Sequence, residues 1–425
     1  MRNPSWSLPD NRYQSAQKDL NTNDQIEIAI GGAQSYGDAN FHKTGTSVYV
    51  SEKYMNFDPA TNLVEVSASV TVKELINYLL PFSRTLIVVP GTPNASIAGC
   101  VASDIHGKNS FNVGSFSGSV IAIQLMNSAL THWIDRRDES FWKSTIGGQG
   151  LSGVMIRIKL STSAIKSSVL AAEKFITRGI ENNLTKLVTL SANHEFAVGW
   201  IDSRGTGQDN FGFVEVADSV DITEKLKPIR NINLIPSLFP RMRLINRFSI
   251  RIYSWLTRLT SNKVAGKKRL ISRWNYLFPN INFGKWNRLF GRKGFHEIQF
   301  MCDIDSLKFA ADLLSRICHE RDVFLIGTKV LSQEPEGYLS FPGKGLSIAV
   351  NFAADSESQS YVENVYDEIV ETFNSRIYLT KDWVLSPRVF KLMYPKHESL
   401  RNFRKVNSLN EYLRSDFSDR VQLDF

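Results

Sequence analysis

Two short segments of this 425-residue sequence concentrate the side chains able to do chemistry. D-I-H-G-K-N places His106 and Lys108 in the glycine- and serine-dense run IAGCVASDIHGKNSFNVGSFSG (97–118), and Y-L-T-K-D places Lys381 after a strand-like stretch. A loop histidine can relay a proton or orient a ring near neutral pH, and a lysine acts as a cation or, once desolvated, as a base. The competing readings are a turn-stabilising hydrogen bond for His106 and an ordinary surface cation for Lys381. Two further loops, GGAQSYGDAN (31–40) and GGQGLSG (147–153), share the glycine-rich character. Glycine has no Cβ, so such loops let backbone amides approach a phosphate or a flat ring. Together these segments imply a large cofactor held along the backbone. The seven histidines show no HxxxH or HxH spacing, so metal chemistry has no support. Neither GxSxG nor Walker A occurs, and no GxGxxG opens a helix after a strand, so hydrolase, P-loop and Rossmann readings fall away.

The elements that must position these residues follow from periodicity. A chain of this length exceeds what one hydrophobic core usually serves, so two domains are expected. The first third reads as strand (25–32, ending in a glycine turn), strand (62–70), short helix (72–82), buried strand (86–91, ending in Pro-Gly), glycine-rich loop and alternating strand (153–163). Around residue 166 longer alternating segments begin: strands at 195–203, 211–217, 295–304 and 345–354, with helices at 306–322 and 357–375. The fold class is therefore α+β, with one domain at 1–165 rejoined by the tail 376–425, and a second, a sheet covered by helices, at 166–375.

Charge is distributed unevenly. Lys225 to Phe295 holds 17 Lys plus Arg and no acid, so against an overall +8 the rest of the chain carries −9. Within this segment 244–260 places Leu244, Phe248, Ile252, Trp255, Leu256 and Leu259 at helical spacing, with Arg243, Arg247 and Arg251 on another face. Such a helix either packs on its own domain or lies in a membrane interface, where anionic lipid attracts each basic residue by roughly 1 kcal/mol. The missing acids favour an anionic surface or ligand. Nucleic acid is the competitor, and no nucleic-acid-binding motif accompanies the charge. Three cysteines without CxxC spacing fit a reducing cytoplasm. No export signal or run of about 18 apolar residues is found, so nothing is expected to span a membrane.

The motifs GGAQSYGD, PGTPNASIAGCVASDIHGKNSFNVGSFSGSV, GGQGLSGV, FGKWNRLFG, LSFP and RIYLTKD resemble, in that order, the flavin oxidoreductases of the vanillyl-alcohol-oxidase (PCMH-type) superfamily, specifically the decaprenylphosphoryl-ribose 2-oxidase family. The resemblance implies two domains, with an FAD domain formed by both chain ends and a substrate domain between them. It assigns Gly31, Gly32, Ala33, Gln34, Ser35, Tyr36, Gly37 and Asp38 to the FAD pyrophosphate loop, together with Gly91, Ser96, Ile97, Ala98 and Gly99. Ser103, Asp104, Ile105 and His106 would run beside the flavin, with Met155 and Tyr378 as further FAD contacts. Covalent relatives carry a flavin-bonding histidine where this chain has Gln34, so FAD is expected to be non-covalent.

The resemblance makes Lys381 and His106 the catalytic pair: Lys381 hydrogen-bonding the reacting hydroxyl or taking its proton, His106 positioning sugar or flavin. Lys108, Arg288, Gln299 and Lys329 match polar positions of the family's pocket. Ser347 and Ala349 stand where the family has Asn and Cys, Glu297 where it has Gln, and the family's pocket Tyr falls near Leu277, next to Tyr276. The implied reaction oxidises a sugar secondary hydroxyl to a ketone on a lipid-linked sugar phosphate at the inner membrane face. A separate short-chain dehydrogenase then reduces the product, giving net epimerisation in envelope biosynthesis. An oxidase of a soluble sugar, polyol or aldonolactone, and a catalytically silent flavin-fold protein that binds lipid or nucleic acid, remain open alternatives.

Overall fold

A computed structural model describes residues 16–20, 28–43, 45–127, 130–205, 210–222, 226–230, 234–235, 239–280, 282–373 and 375–425. Residues 25–27 of the first expected strand and Lys225 of the basic segment lie outside them. The strand Ile28–Ala29 pairs in parallel with Thr46–Tyr49, which pairs in parallel with Ala16–Asp19, and the first glycine loop follows directly.

Next come five antiparallel strands in the order Met55–Asp58, Leu63–Ser67, Val154–Ser161, Val120–Asn127, Leu130–Ile134. Against them packs the helix Val72–Leu79, which buries Val72, Leu75, Ile76 and Leu79. Its start is set by a capping box in which Thr71 and Glu74 satisfy each other's backbone N–H groups. The expected strand at 86–91 is absent. Pairing stops after Arg84–Thr85, and Leu86, Val88 and Val89 are buried outside any sheet. The run is apolar because it fills the core. Its Ile87 carbonyl is met by the Asn109 side-chain amide at 2.8 Å rather than by a neighbouring strand.

A seven-stranded antiparallel sheet runs in the order Arg269–Ser272, Val169–Arg178, Phe211–Ser219, Phe196–Ile201, Val323–Ser332, Lys344–Ala353, Phe295–Cys302. Register decides its use. Glu297 pairs with Asn351, Gln299 with Ala349, Gly327 with Ala349 and Lys329 with Ser347. Residues two apart share a face, so Glu297, Gln299, Lys329, Ser347, Ala349 and Asn351 lie on one side. Ile298, Phe300, Ile326, Ile348 and Val350 lie on the other, buried in the core that also takes in the helices Ile180–Ser191, Leu307–Glu320 and Ser358–Thr372. The C-terminal helices share this core, and Arg404, fully buried, donates to the Leu151 and Leu413 carbonyls and pairs with Asp424.

The expected basic helix forms at Arg247–Val264, capped by Asn246, so Arg243 and Leu244 precede it. Its inward side is mixed: Ile250 is buried and the Tyr253 ring lies 5.1 Å from that of Phe324, beside several polar contacts. Ser254 donates to the Asp202 carboxylate, Arg258 pairs with the same group at 2.6 Å, and Lys174 reaches Ser261 at 3.3 Å. Of its apolar residues Ile250 is buried, whereas Phe248 (72% exposed), Ile252, Trp255 (58%), Leu256 and Leu259 face outward. None of the described helices is long and apolar enough to cross a membrane.

Candidate active site

The glycine loops, the His106 loop, the Lys381 turn and the polar face of the seven-stranded sheet enclose a cavity of about 380 Å³. One wall is backbone. Ser96 Oγ accepts from the N–H groups of both Gly32 and Gly99 at 3.1 Å, tying the first loop to the helix Ile97–Ala102. A Cβ on Gly32 would overlap the Asn94 carbonyl and one on Gly37 the Asp382 carbonyl, so these loops touch backbone to backbone. At Gly91 a Cβ would meet nothing within 4 Å. Gln34 is pinned over this wall, donating to the Gly32 carbonyl at 3.0 Å and accepting from Thr92 at 3.2 Å.

The opposite wall carries the charge. Lys381 Nζ lies 3.3 Å from Glu297 Oε1 and 3.2 Å from the centroid of the Tyr36 ring. Burial lowers the Lys381 pKa from its ordinary value, and Glu297 opposes that shift. Lys329 is pushed down to about 8 by burial and by the Lys381 charge, with Glu297 again opposing. Burial raises Tyr36 well above the usual phenol range, helped by Glu297.

His106 packs against the touching rings of Phe341 and Tyr378, with ring centroids 5.4 and 5.2 Å away. Gln299 Nε2 is 2.9 Å from His106 Nε2 and donates to Ser347 Oγ at the same distance. Burial, then the charges of Lys329 and Lys381, hold the imidazole pKa well below its ordinary value. A neutral ring accepting from Gln299 at Nε2 carries its proton on Nδ1, and Nδ1 is buried without a partner.

Most of the expected residues meet here: Gly31 to Tyr36, Gly91, Ser96, Ala98, Gly99, Ser103, Ile105, His106, Met155, Glu297, Gln299, Lys329, Ser347, Ala349, Tyr378 and Lys381 line the cavity. Six do not. Gly37 is packed on Asp382, and Asp38 pairs with Arg420 at 2.8 Å. Ile97 is core, and Asp104, at φ 40°, accepts from Ser117 N at 3.2 Å. Lys108 turns away and donates to the Tyr276 carbonyl, its Nζ 4.2 Å over that ring. Burial, then the Lys329 charge, push Lys108 down to about 7. Arg288 sits on the turn Trp286–Leu289, where Trp286 is the residue that reaches the cavity. Tyr276 and Leu277 are core, and the Tyr276 hydroxyl donates to the Glu215 carbonyl at 3.1 Å.

Asn40, Gln149 and Trp286 lie in segments singled out from the sequence but were not named individually, and Gly327, Thr328 and Asn351 were missed altogether. Period-two counting from Ser347 and Lys329 would have found Asn351 and Gly327. Trp286 stands in the FGKWNRLFG motif, from which Arg288 rather than the tryptophan was named as the pocket residue.

Several cavity-lining residues hold buried polar atoms without a protein partner: Ser35 Oγ, Asn40 Oδ1, His106 Nδ1, Thr328 Oγ1, Asn351 Oδ1 and Thr380 Oγ1. Orphaned groups of this kind call for a ligand rich in donors and acceptors. The glycine wall and the open position at Gly91 fit a flat, phosphate-bearing cofactor.

Comparison with known proteins agrees. The profile of an FAD-binding domain family matches residues 13–131. Over 414 residues the chain is 25% identical to decaprenylphosphoryl-β-D-ribose oxidase of Mycolicibacterium smegmatis, covering 93% of this chain and 89% of that protein. It is also 23% identical over 377 residues to an uncharacterized protein of the mprA 5′ region of Streptomyces coelicolor, covering 83% of this chain and all of that one.

Proposed function

Because this chain is an FAD-dependent oxidoreductase with the two-domain α+β fold of the vanillyl-alcohol-oxidase type, we propose that it oxidises a secondary hydroxyl to a ketone on a sugar carried by a polyprenyl phosphate. Bound FAD supplies the hydride acceptor. The reading rests on Lys381, Glu297, Lys329, His106 and Gln299 converging on one cavity that also has a glycine wall. The glycine loops and Ser96 hold the cofactor's phosphates, and His106 Nδ1 donates to an acceptor of cofactor or sugar. Gln34 replaces a nucleophilic imidazole with an amide already spent on Gly32 and Thr92, so the cofactor is held without a covalent bond. Lys381 hydrogen-bonds the reacting oxygen, and Lys329 brings a second cation.

A lipid-linked substrate is supported by the relative's name and by the helix Arg247–Val264. Its outward Phe248, Trp255 and Leu259, with exposed Arg251, Lys267 and Lys268 nearby, suit the interface of an anionic, cytoplasmic membrane face. The residues from 166 to 375 form the substrate domain in this reading, and 1–165 with 376–425 the FAD domain. The keto product then passes to a short-chain dehydrogenase, completing an epimerisation.

Purified protein should be yellow and lose its flavin to the supernatant on denaturation. Polyprenyl-phosphate-linked pentoses should bleach the flavin anaerobically while free sugars, polyols and aldonolactones do not. Bleaching by the free compounds alone would replace the lipid-linked substrate with a soluble one.

A further inference from the structure

We infer that Glu297 is the base that takes the proton of the reacting hydroxyl, with Lys381 kept as its ammonium partner rather than acting as the base itself. The inference rests on the proposed alcohol oxidation and assigns the proton within it. Two groups in the cavity could accept the proton, and they are in contact: Glu297 Oε1 is 3.3 Å from Lys381 Nζ. In a carboxylate–ammonium pair only the carboxylate offers a lone pair. Removing the proton from Lys381 would take from the nearly buried Glu297 carboxylate the cation in contact with it, leaving the more distant charge of Lys329, which makes that state costly. The Tyr36 ring face, 3.2 Å below Nζ, further favours the cation.

Glu297 is also held for the task. It faces the cavity from the strand Phe295–Cys302, and its second oxygen, Oε2, lies 3.5 Å from Asn351 Nδ2 on the paired strand. The titratable groups that act on it are Lys381 and Lys329 across the cavity, Tyr36 beneath Lys381, and Tyr366 on the helix Ser358–Thr372 behind the sheet.

In the step, the O–H bond of the substrate breaks and its proton forms a bond to a Glu297 oxygen. The C–H bond breaks with its electron pair, leaving as hydride for the bound FAD, and the carbinol carbon becomes a ketone. The alcohol is oxidised by two electrons and FAD is reduced by the same two. Once Glu297 is neutral, the Lys381 ammonium is released from it to hydrogen-bond the new carbonyl oxygen.

Glu297→Gln keeps the shape, removes the basicity and installs the amide that the resembled family carries here, so a loss of activity would show that this chain has moved the proton-accepting role from Lys381 to Glu297. In anaerobic stopped-flow with a polyprenyl-phosphate-linked pentose, its flavin reduction should slow by about 10²–10⁴-fold. FAD affinity should stay unchanged in the variant. Infrared difference spectra of wild type should show a protonated carboxyl band appearing on substrate reduction, absent from Glu297→Gln. A wild-type rate of flavin reduction in Glu297→Gln would overturn the inference. If no such sugar reduces wild type, the substrate reading fails separately. The inference then stands or falls on the resting holoenzyme, where Glu297→Gln must remove a carboxylate band at pH 7, and loss of a protonated band instead would overturn it.

Discussion

Gln299 Nε2 and His106 Nε2 stand 2.9 Å apart inside the protein, so a sheet residue fixes the tautomer of a loop imidazole 193 positions away in sequence. That arrangement needs a neutral ring. A protonated imidazole would place two donors face to face beside two lysines, and burial together with Lys329 and Lys381 already holds its pKa well below the ordinary value. The sign of the stability effect follows. A histidine whose folded pKa is depressed contributes stability that is present above about pH 6.5 and is lost as pH falls from there towards the folded pKa. His106→Gln should therefore flatten the acid side of the unfolding profile, removing a slope of at most about 1.4 kcal/mol per pH unit. Thermal or urea unfolding of both proteins between pH 5 and 7.5 reads this directly. Identical slopes would mean that His106 is not buried as a neutral ring.

The glycines separate into two kinds with different expected costs. At Gly37 an added Cβ would overlap the Asp382 backbone carbonyl, which cannot move without disturbing the Asp382–Arg420–Asp38 ion-pair cluster. Gly37→Ala should thus destabilise the cofactor-free protein by about 1–3 kcal/mol, the usual cost of overpacking. At Gly91 the added methyl meets no protein atom. Gly91→Ala should leave apoprotein unfolding within experimental error of wild type and weaken FAD binding, seen as a raised Kd in fluorescence-quenching titrations. Unaltered FAD affinity in Gly91→Ala would remove Gly91 from the cofactor wall.

What the sequence made legible follows the physics of each element. Alternating strands such as Phe295–Cys302 and Lys344–Ala353 announce themselves because one face is polar and the other apolar. Glu297, Gln299, Ser347 and Ala349 came instead from the family resemblance, and the alternation accounts for their sharing one face once the register is known. The segment 86–91 misled because burial alone selects Leu and Val, whether or not the backbone joins a ladder. Lys108 misled for a related reason. Its position beside His106 in sequence suggested a shared site, but alternate residues of a turning loop diverge, and the Tyr276 carbonyl and ring face capture its ammonium. The Lys381–Glu297 contact was out of reach because it joins two segments whose register appears only once the sheet and the C-terminal turn are assembled. The helix Arg247–Val264 was legible as a helix, but its inward polar contacts depend on Asp202 and Lys174, which no local pattern places beside it.

The exposed apolar side of that helix gives the most direct test of where the protein works. Phe248, Trp255 and Leu259 point away from the protein, so replacing all three with serine removes little packing and should leave the unfolding midpoint nearly unchanged. If the face lies in a lipid interface, the triple variant should lose most of its co-flotation with vesicles containing phosphatidylserine. Wild type should bind these vesicles more strongly than purely zwitterionic ones, because exposed cations such as Arg251, Lys267 and Lys268 add roughly 1 kcal/mol each near an anionic surface. That advantage should fade as salt rises towards 1 M, where the screening length is about 3 Å. The variant should still reduce its flavin with a detergent-solubilised substrate, since none of the three residues lines the cavity. Equal flotation of variant and wild type, or binding indifferent to lipid charge, would remove the membrane from the account while leaving the active-site chemistry intact.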